Sequence, residues 1–189
     1  ALASSIDYQR SGMELSLLPC GVIASDGPTF TVRVFSRVPL EQITTVHADV
    51  ESHTSVALMR ILMKRVYGVE VGIEPFVATA RGGSDSDWTE AWLTRTGLPV
   101  AYAVWSVRRA DVEAGRAALA RAGTLLDRQR RHNATRWDAI ATGYASRHGW
   151  PVDTAVRYLT EYLSYELTER HEAGRATFYA LAAEDGLIE

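Results

Sequence analysis

Cysteine, clustered histidine and net charge are all scarce in this chain, and each shortage excludes something. Cys20 is the only cysteine in 189 residues, so an internal disulfide and a cysteine-based metal cage are both ruled out. A reducing compartment is compatible with that usage, and the expected location is cytoplasmic. His47, His53, His132, His148 and His171 are scattered. No two stand at i,i+4 and none has a carboxylate at ligand spacing, so no metal is expected. There is no G-x-S-x-G elbow, no Walker loop and no G-x-G-x-x-G. A net charge of −3 creates no global field for nucleic acid or an anionic membrane. The longest strongly apolar stretch, Leu98 to Val107, is too short to cross a bilayer. No signal peptide is visible, although the chain opens at Ala1 without methionine, which leaves room for a leader already removed.

Composition is otherwise ordinary for a soluble globular protein, 47% hydrophobic and 23% charged. The length suits one large domain or two small lobes. The chain is organised around residues 45–68. Residues 45–50 alternate and carry β-branched side chains, as a strand does. Ser52, His53, Thr54 and Ser55 then precede an apolar periodic run, with Leu58, Met59, Leu62, Met63 and Val66 on one face and Gly68 placed to end the helix. Such a turn offers free N–H groups, hydroxyls and the positive end of a helix dipole, the parts of an anion site. The dipole alone contributes roughly 0.3–1 kcal/mol, so hydroxyls must add orientation and much of the rest. A plain helix cap at Ser52 or Thr54 explains the same residues equally well.

Along the rest of the chain, residues 1–8 read as a strand end running into a polar turn with hydroxyls at Ser4 and Ser5. Leu15 to Ser25 is extended, and Thr29 to Arg37 is the clearest strand pattern, closed by Pro39. Val69 to Val77 suggests one more strand, and Ala78 to Asp87 a linker. Thr89 to Arg95 is helical, Gly97 stops it, and Val100 to Val107 is a buried strand. Four helical segments follow, at 111–131, 134–148, 152–170 and 172–185. Tyr158, Tyr162 and Tyr165 form a helical stripe best read as core. Arg128, Arg130, Arg131 and His132 are best read as a solvated face.

Five stretches resemble, in order, the chorismate dehydratase family of the futalosine route to menaquinone. They are Ser4-Ser-Ile-Asp-Tyr8, Ala24-Ser-Asp-Gly-Pro28, Val34-Phe-Ser-Arg-Val-Pro-Leu40, Ser52-His-Thr-Ser-Val-Ala-Leu58 and Thr96-Gly-Leu-Pro-Val-Ala-Tyr-Ala-Val-Trp105. The tail, with Tyr165-Glu-Leu167 and Gly186-Leu-Ile188, is also similar to the family's C-terminus. The resemblance implies an α/β protein of the two-lobed type II periplasmic-binding-protein-like fold, with a parallel sheet in each lobe and a helical C-terminal region. Residues 1–33 and 104–189 would form one lobe and 34–103 the other. It also implies cofactor-free loss of water from chorismate, a dicarboxylate, to give 3-[(1-carboxyvinyl)oxy]benzoate. Thr54 and Ser55 are then expected to bind one carboxylate. Ser4, Gly27, Ser52 and His53 complete the substrate set, and Ser5 or Thr31 serves the leaving hydroxyl or relays the proton. No side chain stands out as the base, a role open to a carboxylate of the substrate. Small-molecule binding is the expected partnership, with no nucleic acid and no membrane, and oligomeric state is left open.

Two departures accompany the resemblance. The family's opening strand and turn, with a cleft-facing asparagine, has no counterpart here, and neither does a strand between Val77 and Ser86. The expectation is therefore that pieces of a longer chain are joined, with neighbouring Cα atoms near Ala80–Arg81 farther apart than the ~3.8 Å of a trans peptide. Two other functions fit the same fold: a non-catalytic small-anion-binding module, and 1,4-dihydroxy-6-naphthoate synthase, whose threonine-threonine-alanine turn Ser52–Ser55 matches less well.

Overall fold

The computed structural model describes residues 1–12, 14–49, 51–76 and 84–188. The linker expected over 78–83, and any widened spacing near 80–81, lie outside the described residues. Strand β1 (Leu2–Ser4) leads directly into helix α1 (Ser5–Arg10), and β2 (Leu15–Ser25) follows. Next come β3 (Arg33–Ser36), β4 (Thr45–Ala48), α2 (His53–Tyr67), β5 (Gly72–Pro75), β6 (Ser84–Asp87), α3 (Trp88–Thr96) and β7 (Val100–Arg108). Helices α4 (Ala110–Ala134), α5 (Trp137–Tyr144), α6 (Val152–Arg157) and α7 (Glu169–Glu184) complete the chain. The protein is mixed α/β. Among the described residues no helix is long and apolar enough to cross a membrane.

β7, buried at Val100, Ala101 and Val104, is the centre of an antiparallel sheet ordered β1-β7-β2, because a buried strand needs the backbone N–H and C=O groups along both its edges paired. β3 pairs antiparallel with β6, and only β4 with β5 is parallel among the described strands. The parallel sheets expected of each lobe are therefore replaced, in the described residues, by a mainly antiparallel arrangement. α2 supplies the main core. Ala57, Leu58, Met59, Ile61, Leu62 and Met63 are buried with Ile6, Val32, Val34, Trp88, Trp92, Val100 and Phe178. Burying each large apolar side chain contributes about 1.5–3 kcal/mol. This one cluster draws on residues from both sides of the 33/34 and 103/104 boundaries. Gly68 ends α2 in the left-handed region (φ 71°), and the Val69 N–H returns to the Met63 carbonyl at 3.1 Å.

Three local expectations are corrected. The strand expected over Thr29–Arg37 holds only at Arg33–Ser36, because the Thr29 hydroxyl accepts from the N–H groups of Thr31 and Val32 and curls the chain into a turn. Residues 84–87, expected as linker, pair with β3. The helix expected over 152–170 is broken. After a π-helical turn at Tyr158–Tyr162, residues 163–165 run along the free edge of β2, where Ser164 and Ala24 exchange N–H···O bonds of 2.8 and 3.0 Å. A sheet edge satisfies those backbone groups and removes Tyr165 from the tyrosine stripe, stacking it on Trp137 with ring centroids 5.0 Å apart.

Candidate functional site

The two hydroxyl-bearing turns meet directly. β1 delivers Ser4 and Ser5 to the start of α1, and β4 leads through a short turn to the start of α2. The Ser4 and Thr54 hydroxyls lie 2.7 Å apart. Thr54 donates to the carbonyl of Tyr102 on β7 (3.0 Å) and accepts from the Ile6 N–H (3.2 Å). With its one proton committed to Tyr102, Thr54 accepts from Ser4, whose own proton is thereby spent. Thr54 is only 4% exposed. In this arrangement Thr54 clamps α1, α2 and β7 together. Ser52 begins α2 without a side-chain cap, because its hydroxyl donates to Asp49 (3.2 Å). The expected Ser52 or Thr54 cap is therefore absent.

What stays available at this end of α2 is the half-buried Ser55 hydroxyl, which has no hydrogen-bond partner among the described residues, and the unpaired N–H groups of the first turn. Beside them, His53 Nδ1 lies 2.5 Å from a carboxylate oxygen of Asp7 on α1, and the other Asp7 oxygen is 3.5 Å from Arg10. Both partners are partly open, with side chains 42% and 38% exposed.

Ser5 faces inward and is fully buried. The Tyr179 hydroxyl on α7 donates to the Ser5 carbonyl (2.9 Å), so the Ser5 hydroxyl donates to Tyr179 (2.8 Å). Burial raises the Tyr179 phenol above its ordinary range, against the bond from Ser5 that lowers it. The guanidinium of Arg175 lies over the rings of Tyr8 and Tyr179, 5.5 and 5.6 Å from their centroids. Thr31 and Gly27 are not joined to this group by any bond among the described residues. The Thr31 hydroxyl pairs with that of Tyr158 at 3.0 Å, and Gly27 sits in the turn facing Leu93 of α3. That turn is held by Asp87, which accepts from the N–H groups of Thr29 (2.7 Å), Thr89 (3.0 Å) and Glu90 (3.2 Å). Nearby, Tyr102 bonds Ser25 at 2.7 Å, and burial raises its phenol well above the usual range.

Sequence reasoning did not single out Asp7, Asp87, Tyr102 or Tyr179. Asp87-Trp-Thr-Glu90 carries a legible signal, since an aspartate three residues before a glutamate marks a helix start. Tyr179 carries none, because its partner is 174 positions away. Among the described residues no three of His, Cys, Asp and Glu gather as a metal would require.

Fold and site together define a mixed α/β protein in which two hydroxyl-bearing turns meet at the start of α2. The chain belongs to the menaquinone biosynthesis family, whose model matches residues 1–83 and 84–184. It is also similar to the chorismate dehydratase of Thermus thermophilus, 28% identical over 146 residues, an alignment covering 58% of this chain and 54% of that protein. The chain thus spans about half the length of the curated relative it matches.

Proposed function

We propose that the chain is a chorismate-dehydrating lyase of menaquinone biosynthesis, acting without metal or organic cofactor on a substrate held between two lobes. In this reading the lobes are residues 1–33 with 104–189, and 34–103, the fold is of the type II periplasmic-binding-protein-like kind, and the protein works in the cytoplasm. The observation that carries the reading is the similarity to chorismate dehydratase coinciding with the Ser4–Thr54 clasp, which holds an accessible Ser55 and the start of α2 in one place. One substrate carboxylate binds there through the Ser55 hydroxyl and first-turn N–H groups. Ser4, Ser52 and Thr54 act by fixing that turn, and His53 flanks the bound anion. Ser5 with Tyr179, Gly27 in its turn and Thr31 with Tyr158 shape the surrounding frame.

Loss of hydroxide from chorismate makes an aromatic ring, so the driving force is large. The protein's task is to orient the substrate, exclude water and assist one proton transfer. Incubating purified protein with chorismate and following the aromatic product tests this. Turnover that persists in EDTA is expected, and activity lost to EDTA but restored by a divalent ion overturns the cofactor-free reading. A non-catalytic anion-binding module is the second reading, favoured by how completely Ser4 and Thr54 are spent on each other and on the backbone. Saturable binding of chorismate without its consumption would select it.

A further inference from the structure

We infer that residues 137–162 form a flap, and that residues 163–168 are a pH-sensitive latch which His171 holds on the edge of β2. The inference involves no substrate and is independent of the lyase reading. Three observations carry it. First, the flap has a core of its own. Ala141, Ala145 and Ala155 are buried against Trp150, Val156 and Leu159, a cluster separate from those around α2 and β7. A segment with a private core can open as a unit while the rest of the fold stays closed. The flap rests on the turn after β2, where the Tyr158 and Tyr162 rings lie 6.4 and 4.3 Å from that of Phe30. The Tyr158–Thr31 bond beside them is exposed.

Second, the latch grips β2 through backbone groups. Ser164 and Ala24 exchange two N–H···O bonds, and the Val22 N–H donates to the Tyr165 carbonyl at 3.1 Å. Tyr165 also stacks on Trp137, the first residue of α5, so the start of the flap is tied to the latch.

Third, His171 holds the latch with both ring nitrogens. Nδ1 accepts from the Thr168 N–H (3.3 Å) and hydroxyl (2.8 Å), and Nε2 donates to the Ser164 hydroxyl (3.0 Å). These bonds use the neutral ring completely. A second proton has to go on Nδ1, where it displaces both Thr168 bonds and sets one donor against another. α7 then loses its capping box as well. Asp26 in the turn after β2, Glu166 on the latch and Glu172 on α7 favour the imidazolium. Arg170, itself held by Asp26 at 2.9 and 3.1 Å, opposes it. Burial outweighs the acids and lowers the His171 pKa. The closed latch therefore rejects a proton that the open one accepts, and opening grows as pH falls through the ordinary histidine range.

Hydrogen exchange on the purified chain tests this, at about pH 7.5 and about pH 5, with rates corrected for intrinsic exchange so that opening constants are read. The amides of 137–168 are expected to open together and more readily than those of α2 and β7. Their opening constant should rise by about fivefold or more at the lower pH, with that of α2 changing less than about twofold. In H171Q, which has no titrating ring, the rise should vanish. Flap amides as protected as those of α2, a wild-type opening constant that ignores pH, or an H171Q chain that keeps the wild-type rise would each overturn the latch. If H171Q melts early, an NMR titration of the His171 ring in the wild-type chain decides. A pKa below the ordinary histidine value supports the latch, and one at or above it overturns it.

Discussion

Helices α2 and α4 look comparable on paper and behave as opposites in the fold. α2 has 15 residues and buries Thr54 and six apolar side chains among them. α4 has 25 residues and buries none. Length and helix propensity therefore say little about what a helix contributes. α2 is surrounded by α1, α3, α7 and β7, so it can place His53 and Ser55 accurately. α4 lies along the outer side of β2 and carries ion pairs such as Asp127 with Arg130 and Arg131, worth little individually at a surface.

The sharpest test of that contrast is core truncation. Leu62→Ala, at a fully buried position of α2, should cost about 2–5 kcal/mol in urea unfolding. A cost under 1 kcal/mol would mean that α2 is not the hub. Next, Thr54→Val keeps the shape but strands the Ser4 hydroxyl, the Ile6 N–H and the Tyr102 carbonyl. Each orphan that water cannot reach costs about 1–3 kcal/mol. Ser55→Ala should leave stability nearly unchanged while weakening chorismate binding by about 1.5–3 kcal/mol, measured by calorimetry.

Glycines divide the helices in the same way. A Cβ at Gly174 on α7 would lie 2.3 Å from the Pro99 carbonyl oxygen, so Gly174→Ala should destabilise by about 1–3 kcal/mol as the helix shifts. At Gly115 on α4 the nearest atoms are Leu119 carbons at 3.6 Å, and Gly115→Ala should stabilise by about 0.5–1 kcal/mol. Opposite signs in thermal melts are the expected result.

The C-terminal tail adds a pH test. His171 Nδ1 accepts from the Thr168 N–H, so the ring proton is on Nε2, which donates to Ser164 at 3.0 Å. Burial lowers the His171 pKa below its ordinary value. Its neutral form is the one the fold binds, so its contribution is complete above the unfolded pKa and is lost as pH falls through the folded one. His171→Gln should flatten that acid-side loss. The smallest effect is expected at Leu125→Ala on α4, within about 0.5 kcal/mol. A larger loss would show that α4 is covered by something in solution.

The amino-acid pattern made much of this legible. Residues 15–25, α2 with its Gly68 stop, α3 with Gly97 and β7 follow from periodicity and punctuation, and the family from ordered motifs such as Ser52–Leu58. The pattern also singled out two turns, Ser4–Ser5 and Ser52–Ser55, that the fold brings together. The bonds among Ser4, Thr54 and Tyr102 were not legible there, because those neighbours are supplied only by long-range packing.

Local chemistry, in the end, settled most of the helices and strands and which turns carry hydroxyls, since those depend on side chains a few positions apart. Tertiary structure alone decided that residues 163–165 leave their helix for the edge of β2, that Thr54 is a clasp, and that Asp7 meets His53. In each case a buried backbone or polar group needs a partner, and the nearest one in space lies far away along the chain.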